Sequence, residues 1–441
     1  MELFDFIKRS PNPYFAVLTM KEELEKNGFS ELFEGDEWHL DAGKYFVTRD
    51  GSSLIAFSIP ENGYKGFQIL ASHSDSPAFK IKTNAQMRSE DFYIKLNTEK
   101  YGGMILSTWF DRPLSIAGRI IVKTDEGLES KTVNIDRDLL MIPSLAIHMD
   151  RSTNDGHKYV VQKELLPLFA GANKKDLDEK DSEDKDMLLS LIAEAAGIRA
   201  EDILDSDLFL YNRQEPVVYG ANKEFMAAPR LDDLQCAYAS LMGFLSASPS
   251  AGIAVHAVFN NEEVGSETKQ GAASSFLTET LRRINTALGN DETYFYRALS
   301  SSFLVSADNA HAIHPNYSEK ADPTNKPLLN GGIVIKYNAN QHYATDGVSA
   351  GVFRMICERA KVPVQEFVNS SDIPGGSTLG SIAVTRLSMN TVDIGLPQLS
   401  MHSAYETAGT YDTEYLCKAA AEFFSTAMIS RGDGEIKLQR G

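Results

Sequence analysis

The chain has 441 residues, more than the roughly 250–300 at which a single core stops growing, so two domains are expected. Hydrophobic residues make up 43% and charged residues 24%, which suits a folded globular chain and excludes a disordered one. Forty-three basic against 61 acidic side chains give a formal charge of -18, which repels polyanions and argues against a nucleic-acid partner.

Cys236, Cys357 and Cys417 are too few and too scattered for a disulfide framework or a thiolate zinc knot, so a reducing cytoplasm is expected. Met1-Glu2-Leu3-Phe4-Asp5-Phe6 is acidic where a secretory signal is basic, and no apolar run approaches the roughly 18 residues of a membrane span.

In chain order, Tyr14, Val17, Leu18 and Leu24 stand at helical spacing, and Asn27-Gly28 is a stop, which predicts helix across the first 30 residues. Phe67 to Ala71 is a short buried strand that runs into the polar cluster Ser72-His73-Ser74-Asp75-Ser76-Pro77. From there the pattern changes: Phe92 to Leu96 and Arg119 to Lys123 alternate as antiparallel strands do. Lys174 to Asp186 is dense in charge and reads as a solvated loop, followed by a helix-like stretch from Met187 to Ala196.

The buried pattern then resumes. Leu231, Leu234, Tyr238, Leu241 and Leu245 mark a helix, Ile253 to Phe259 a continuous apolar strand, Phe303 to Val305 and Ile333 to Ile335 further strands. Leu416, Ala420, Phe423 and Ala427 share one face of a closing helix. Strand and helix alternation interrupted by a strand-rich stretch predicts an α/β/α sandwich over 1–84 and 224–441, split by an inserted β-rich domain at 85–223.

In open α/β sheets chemistry sits beyond the carboxyl ends of the strands. Phe67 to Ala71 leads to His73 and Asp75, Ile253 to Phe259 to Glu262 and Glu263, and Phe303 to Ser306 to Asp308; a strand around Val392 to Ile394 precedes the loop carrying His402. Histidine and carboxylate without thiolate suit a catalytic zinc or a similar divalent ion. Asp232, near the helix start at Pro229, is a carboxylate able to bridge two cations. Of the neighbours Glu262 and Glu263, one can bind metal while the other takes the proton of the attacking water. Asp75, on the same side of an extended segment as His73, can hold the imidazole by its second nitrogen.

Other residues have plainer readings. Asp308 alone fits an Asx-turn, His256 a core histidine, and His39 and His157 the surface. Pro374-Gly375-Gly376-Ser377-Thr378-Leu379-Gly380 lacks the Lys-Ser/Thr ending of a phosphate loop and reads as a tight turn.

Ser72 to Pro77, Arg230-Leu231-Asp232-Asp233-Leu234, Asn261-Glu262-Glu263-Val264-Gly265-Ser266 and Ser306-Ala307-Asp308-Asn309-Ala310-His311-Ala312 together resemble the aspartyl aminopeptidase family, which includes yeast vacuolar aminopeptidase I. His314-Pro315-Asn316-Tyr317 and Gln398-Leu399-Ser400-Met401-His402-Ser403 extend the resemblance. It implies two zinc ions, or cobalt or manganese: one on His73 and Asp308, the other on Glu263 and His402, with Asp232 bridging and Glu262 as general base.

The resemblance further implies peptide substrates, an inserted domain used for dimerisation, and a homo-oligomer built from dimers, typically a dodecamer. Lys336 matches the position facing an acidic substrate side chain, His311 and Tyr343 further pocket positions, and His148 a residue reaching a neighbouring subunit's site; an ordinary domain-core histidine is the other reading of His148. The chain departs from the family pattern at Asp233, where asparagine is usual, at Ser144, where histidine is common, and around 370–376. Beside a two-zinc aminopeptidase acting on acidic N-terminal residues stand three competing functions: an aminopeptidase of neutral or broad specificity, a related two-zinc carboxypeptidase or deacylase, and a non-catalytic assembly protein.

Overall fold

The computed structural model describes residues 1–90, 92–171, 186–248, 251–373, 375–376 and 378–440. They form two compact units. The first comprises Met1–Asp75, Pro216–Met401 and Glu406–Gly441, and the second Ser76–Glu215 with His402–Tyr405.

The first unit is built on a nine-stranded sheet. At its centre Ile253–Phe259, Phe67–His73, Phe303–Ala307 and Asn390–Gly395 lie side by side and parallel. Side chains alternate across a strand, and these strands are buried on both faces, so each reads as a continuous apolar run. Leu70, Ala254, Val258 and Val305 point into the core beneath the helices Pro13–Lys26, Leu231–Ser246, Gly347–Ala360 and Asp412–Phe424. Ile69, Ala71, Val255, Ala257 and Leu304 enter the opposite core, closed by Phe276–Ala287, Glu292–Ser300 and Leu379–Ala383. The result is the three-layered α/β architecture expected.

The helices Leu231–Ser246 and Asp412–Phe424 approach closely at Gly243, where an added Cβ would stand 2.4 Å from that of Ala420. His256 is a core residue, its Nδ1 2.7 Å from the Ser240 hydroxyl. Burial lowers its pKa to about 3, which keeps the ring neutral.

Local detail departs from the sequence expectation at two helices. The first 30 residues form two helices, Leu3–Arg9 and Pro13–Lys26, because Asn12 caps the second by accepting from Tyr14 N and Phe15 N, and Pro13 fits its first turn. The closing helix ends at Phe424, and Ala427 lies in the strand Thr426–Ser430, paired with Ile436–Arg440.

The second unit holds a six-stranded antiparallel sheet in the order Gly127–Asn134, Leu114–Thr124, Ile203–Asn212, Ala78–Ser89, Tyr93–Tyr101, Leu168–Gly171. Ile94 and Leu96 point into its core while Tyr93 is exposed. The sequence pattern sets an insertion at 85–223, whereas this compact unit starts at Ser76, since Ala78–Ser89 already pairs with Tyr93–Tyr101. It stops at Glu215, because Val217–Tyr219 pairs with Phe225–Ala228 of the first unit. The helix Met187–Ala196 is capped by Asp186; the rest of the charged run beginning at Lys174, like Pro374 and Ser377 of the glycine-rich segment, lies outside the described residues.

Candidate metal centre

The site grows from the register of the central strands. His73, last in its strand, pairs with Phe259, and the neighbouring strand Phe303–Ala307 is followed at once by Asp308. The turn Glu262–Val264 comes three residues beyond Phe259. Asp232 and Asp233 open the helix Leu231–Ser246 in non-helical conformation, joined by a cis peptide bond, and Glu406 accepts from Asp232 N at 3.0 Å. Sheet edge and helix start thus deliver one imidazole and a group of carboxylates to one place.

His73 Nδ1 lies 3.0 Å from the Asp75 carbonyl oxygen, which only accepts, so Nδ1 carries hydrogen and, in the neutral ring that a cation requires, Nε2 presents a lone pair. That lone pair faces Asp232 Oδ1 at 3.3 Å and Asp308 Oδ1 at 3.7 Å. Three acceptors aimed at one point repel unless a proton or a cation lies between them. Ligand atoms of His73, Asp232, Asp233 and Asp308 all lie within 4.8 Å of one another, as do those of His73, Glu262 and Glu263. The donor set, imidazole nitrogen with carboxylate oxygens, fits catalytic zinc.

Charge crowding is visible in the titration behaviour. Burial raises Glu262 to about 8, with Asp308, Asp75 and Asp232 adding to the rise, against His73. Burial, then Asp232, holds Glu263 well above the usual carboxylate range, and burial does the same to Asp233. For His73 burial acts downward, but Asp233, Asp232, Asp308 and Asp75 outweigh it and hold the imidazole well above its ordinary value.

Asp75 does more than face the histidine ring. Its Oδ1 accepts from Glu262 N and its Oδ2 from Glu263 N, both at 3.2 Å, so one carboxylate fixes the backbone carrying both glutamates. Lys336, buried in the strand Ile333–Tyr337, donates to the Asn309 carbonyl at 2.8 Å, lies 3.5 Å from Asp308 Oδ2 and sits over the Tyr343 ring. Tyr343 is buried against Phe367, while His311 is exposed beside the same ring.

The remaining two sequence candidates belong to the second unit. His402 has a left-handed backbone, φ 66°, and its carbonyl accepts from Ile105 N. His148 is exposed, in a stretch with exposed Leu145, Ile147 and Met149, so the domain-core reading of it fails.

Sequence reasoning passed over Asn309. Its amide donates to Gln235 and Gln398, its Oδ1 accepts from the Cys236 thiol, and its carbonyl takes Lys336. Only its adjacency to Asp308 signalled this role. Gly395 is a second such position: an added Cβ would stand 2.1 Å from the Asp308 carbonyl oxygen. Gly395→Ala is therefore expected to cost about 1–3 kcal/mol of stability and to weaken zinc retention, measured by thermal unfolding and by metal content after dialysis. Unchanged values for both would show that the Asp308 turn yields without cost.

No described helix is long and apolar enough to cross a membrane. Residues 6–424 match the Aminopeptidase I zinc metalloprotease (M18) family. A probable M18 family aminopeptidase 2 of Clostridium acetobutylicum is 47% identical over 429 residues, covering 96% of this chain and 98% of that protein. Of solved structures, one from the cryo-EM structure of the Ape4 and Nbr1 complex is 39% identical at a TM-score of 0.92, covering 96% of this chain and 84% of that one. The mApe1 dodecamer of S. cerevisiae is 28% identical at a TM-score of 0.82, covering 96% and 95%. With a histidine and carboxylate cluster at the sheet edge and this likeness over nearly its whole length, the chain belongs to the M18 family of zinc metalloproteases and is a metallo-exopeptidase of the aminopeptidase type.

Proposed function

We propose that the chain removes N-terminal residues from peptides with two zinc ions per subunit. His73 and Asp308 would hold one and Glu263 and His402 the other, with Asp232 serving both. The observation carrying the reading is the His73 Nε2 lone pair facing Asp232 and Asp308 beside the Glu262 and Glu263 pair. Zinc held there would supply a Lewis acid for the scissile carbonyl and lower the pKa of the attacking water. Glu262 takes that water's proton and passes it to the leaving amine. Asp75 keeps His73 in the tautomer that leaves Nε2 free and holds the two glutamates by their backbone.

An aminopeptidase needs the free amine, so a peptide and its N-acetylated form separate this reading from a carboxypeptidase or deacylase. Turnover of the free peptide and at least about tenfold less of the acetylated one is the expected result; equal turnover would overturn it.

Acidic N-terminal residues are the proposed preference, with Lys336 as the cation that receives them. A second reading, neutral residues, is favoured by one observation: the Lys336 ammonium already faces Asp308 and Asn309. Aminoacyl substrates bearing Asp, Glu, Leu and Met, assayed with zinc, cobalt and manganese, decide between them. For the assembly, the likeness to the mApe1 dodecamer supports a homo-oligomer, proposed to be a dodecamer built from dimers that join through the second unit, with His148 directed to a neighbouring subunit. The three cysteines are free, which fits the cytoplasm.

A further inference from the structure

We propose that Asn261 is a positioning residue for Glu262, acting with Thr268 and Gln270; this rests on Glu262 being the base. Among the described residues, no hydrogen bond holds the Glu262 carboxylate, so its aim depends on the backbone beneath it. Its charged neighbours Asp75, Asp232 and Asp308 push on it without fixing it.

That backbone is fastened from two sides. Asp75 takes the amides of Glu262 and Glu263. On the other side Asn261 adopts the left-handed conformation, φ 63° and ψ 24°, which asparagine and glycine accept more readily than other residues. Its Oδ1 accepts from Thr268 Oγ1 at 2.9 Å and from Gln270 Nε2 at 2.8 Å. Its carbonyl accepts from Ser266 N at 2.8 Å, and Val264 N also donates to it at 3.3 Å.

The segment that supplies these donors is itself anchored. Gln270 O accepts from Ser53 Oγ at 2.7 Å and from Asn260 N at 3.3 Å, and Ser53 Oγ accepts from Asn260 N at 3.0 Å. Ser53 starts a strand of the large sheet, so the bonds from Thr268 and Gln270 tie the turn carrying the base to the rigid part of the fold. A turn held by the Asp75 clamp alone can pivot about it, and small displacements of a base cost large factors in rate.

The test uses the zinc-loaded full chain with five variants: Asn261→Gly, Thr268→Val with Gln270→Ala, all three changes together, Asn261→Asp, and Glu262→Gln. Asn261→Gly keeps the left-handed backbone and removes only the side-chain bonds. Expected is a fall in kcat of about 10- to 100-fold in each of the first two, with KM and zinc content unchanged. The triple variant should lose no more than either, since all three residues act through one set of bonds. Asn261→Asp, which keeps an acceptor for both donors and the backbone preference, should recover most of the loss.

Wild-type kcat in the first two, with Glu262→Gln inactive, overturns the positioning role and leaves the base intact. Activity in Glu262→Gln instead overturns the base assignment itself. If Asn261→Gly folds poorly, the Thr268 and Gln270 variant carries the test alone. A loss confined to thermal stability or zinc content, with kcat per bound zinc unchanged, counts against the proposal.

Discussion

Glu262→Gln is expected to bind zinc as the parent does and to lose on the order of 10³-fold in kcat, about 4 kcal/mol of barrier. Glutamine has nearly the same shape, so the turn Glu262–Val264 and the bonds from Asp75 survive. What disappears is the oxygen that accepts the proton from water. Above about pH 8, where Glu262 of the zinc-free protein is ionised, the substitution also removes one negative charge from a crowd containing Asp75, Asp232 and Asp308, so thermal stability without metal should hold or rise there. Kinetics beside metal analysis and a melting curve separate these effects. Turnover at the parent rate would end the assignment of Glu262 as base.

Removing zinc should abolish activity and lower stability in a pH-dependent way. A ligand present at 1,000 times its Kd stabilises by about 4 kcal/mol, so chelation withdraws a quantity of that order if zinc binds tightly. In the zinc-free protein Glu262 is raised from 4.5 to about 8, and Glu263 is held well above the usual range. A group with a raised folded-state pKa contributes stability below its unfolded value and loses it as pH rises through the folded one. The zinc-free protein should therefore weaken between about pH 4.5 and 8. Bound zinc takes the place of those protons, so the gain in melting temperature on adding zinc should be larger at pH 8 than at pH 6. A gain that shrinks with rising pH would contradict the cluster's role as the metal site.

The site was legible in the sequence wherever it hangs on strand ends. Continuous apolar runs identified Phe67–His73, Ile253–Phe259 and Phe303–Ala307, and a strand that ends in His, Glu or Asp announces its chemistry locally. Parallel pairing then gathers those ends at one edge, which the alternation of strands and helices already implied. Asn309 escaped notice because its partners Gln235 and Cys236, Lys336, and Gln398 come from three separate stretches, and nothing in a single stretch records them. The break at Asn12 is marked in the sequence by Pro11-Asn12-Pro13 but lies before the apolar spacing that begins at Tyr14, and the start at Ser76 was missed although Phe79-Lys80-Ile81-Lys82 alternates as an antiparallel strand does.

The strand order of the large sheet also sets when a nascent chain can become competent. Phe67–His73 is made early, yet its neighbours Ile253–Phe259 and Phe303–Ala307 are translated long after it. Until Asp308 has left the ribosome, His73 has no complete set of acceptors around it, and the central strand is an exposed apolar edge open to wrong partners. At the proposed site zinc would therefore be acquired late in synthesis, once His402 too has been made, and closing these distant pairings, more than forming any helix, is expected to pace the maturation of the enzyme.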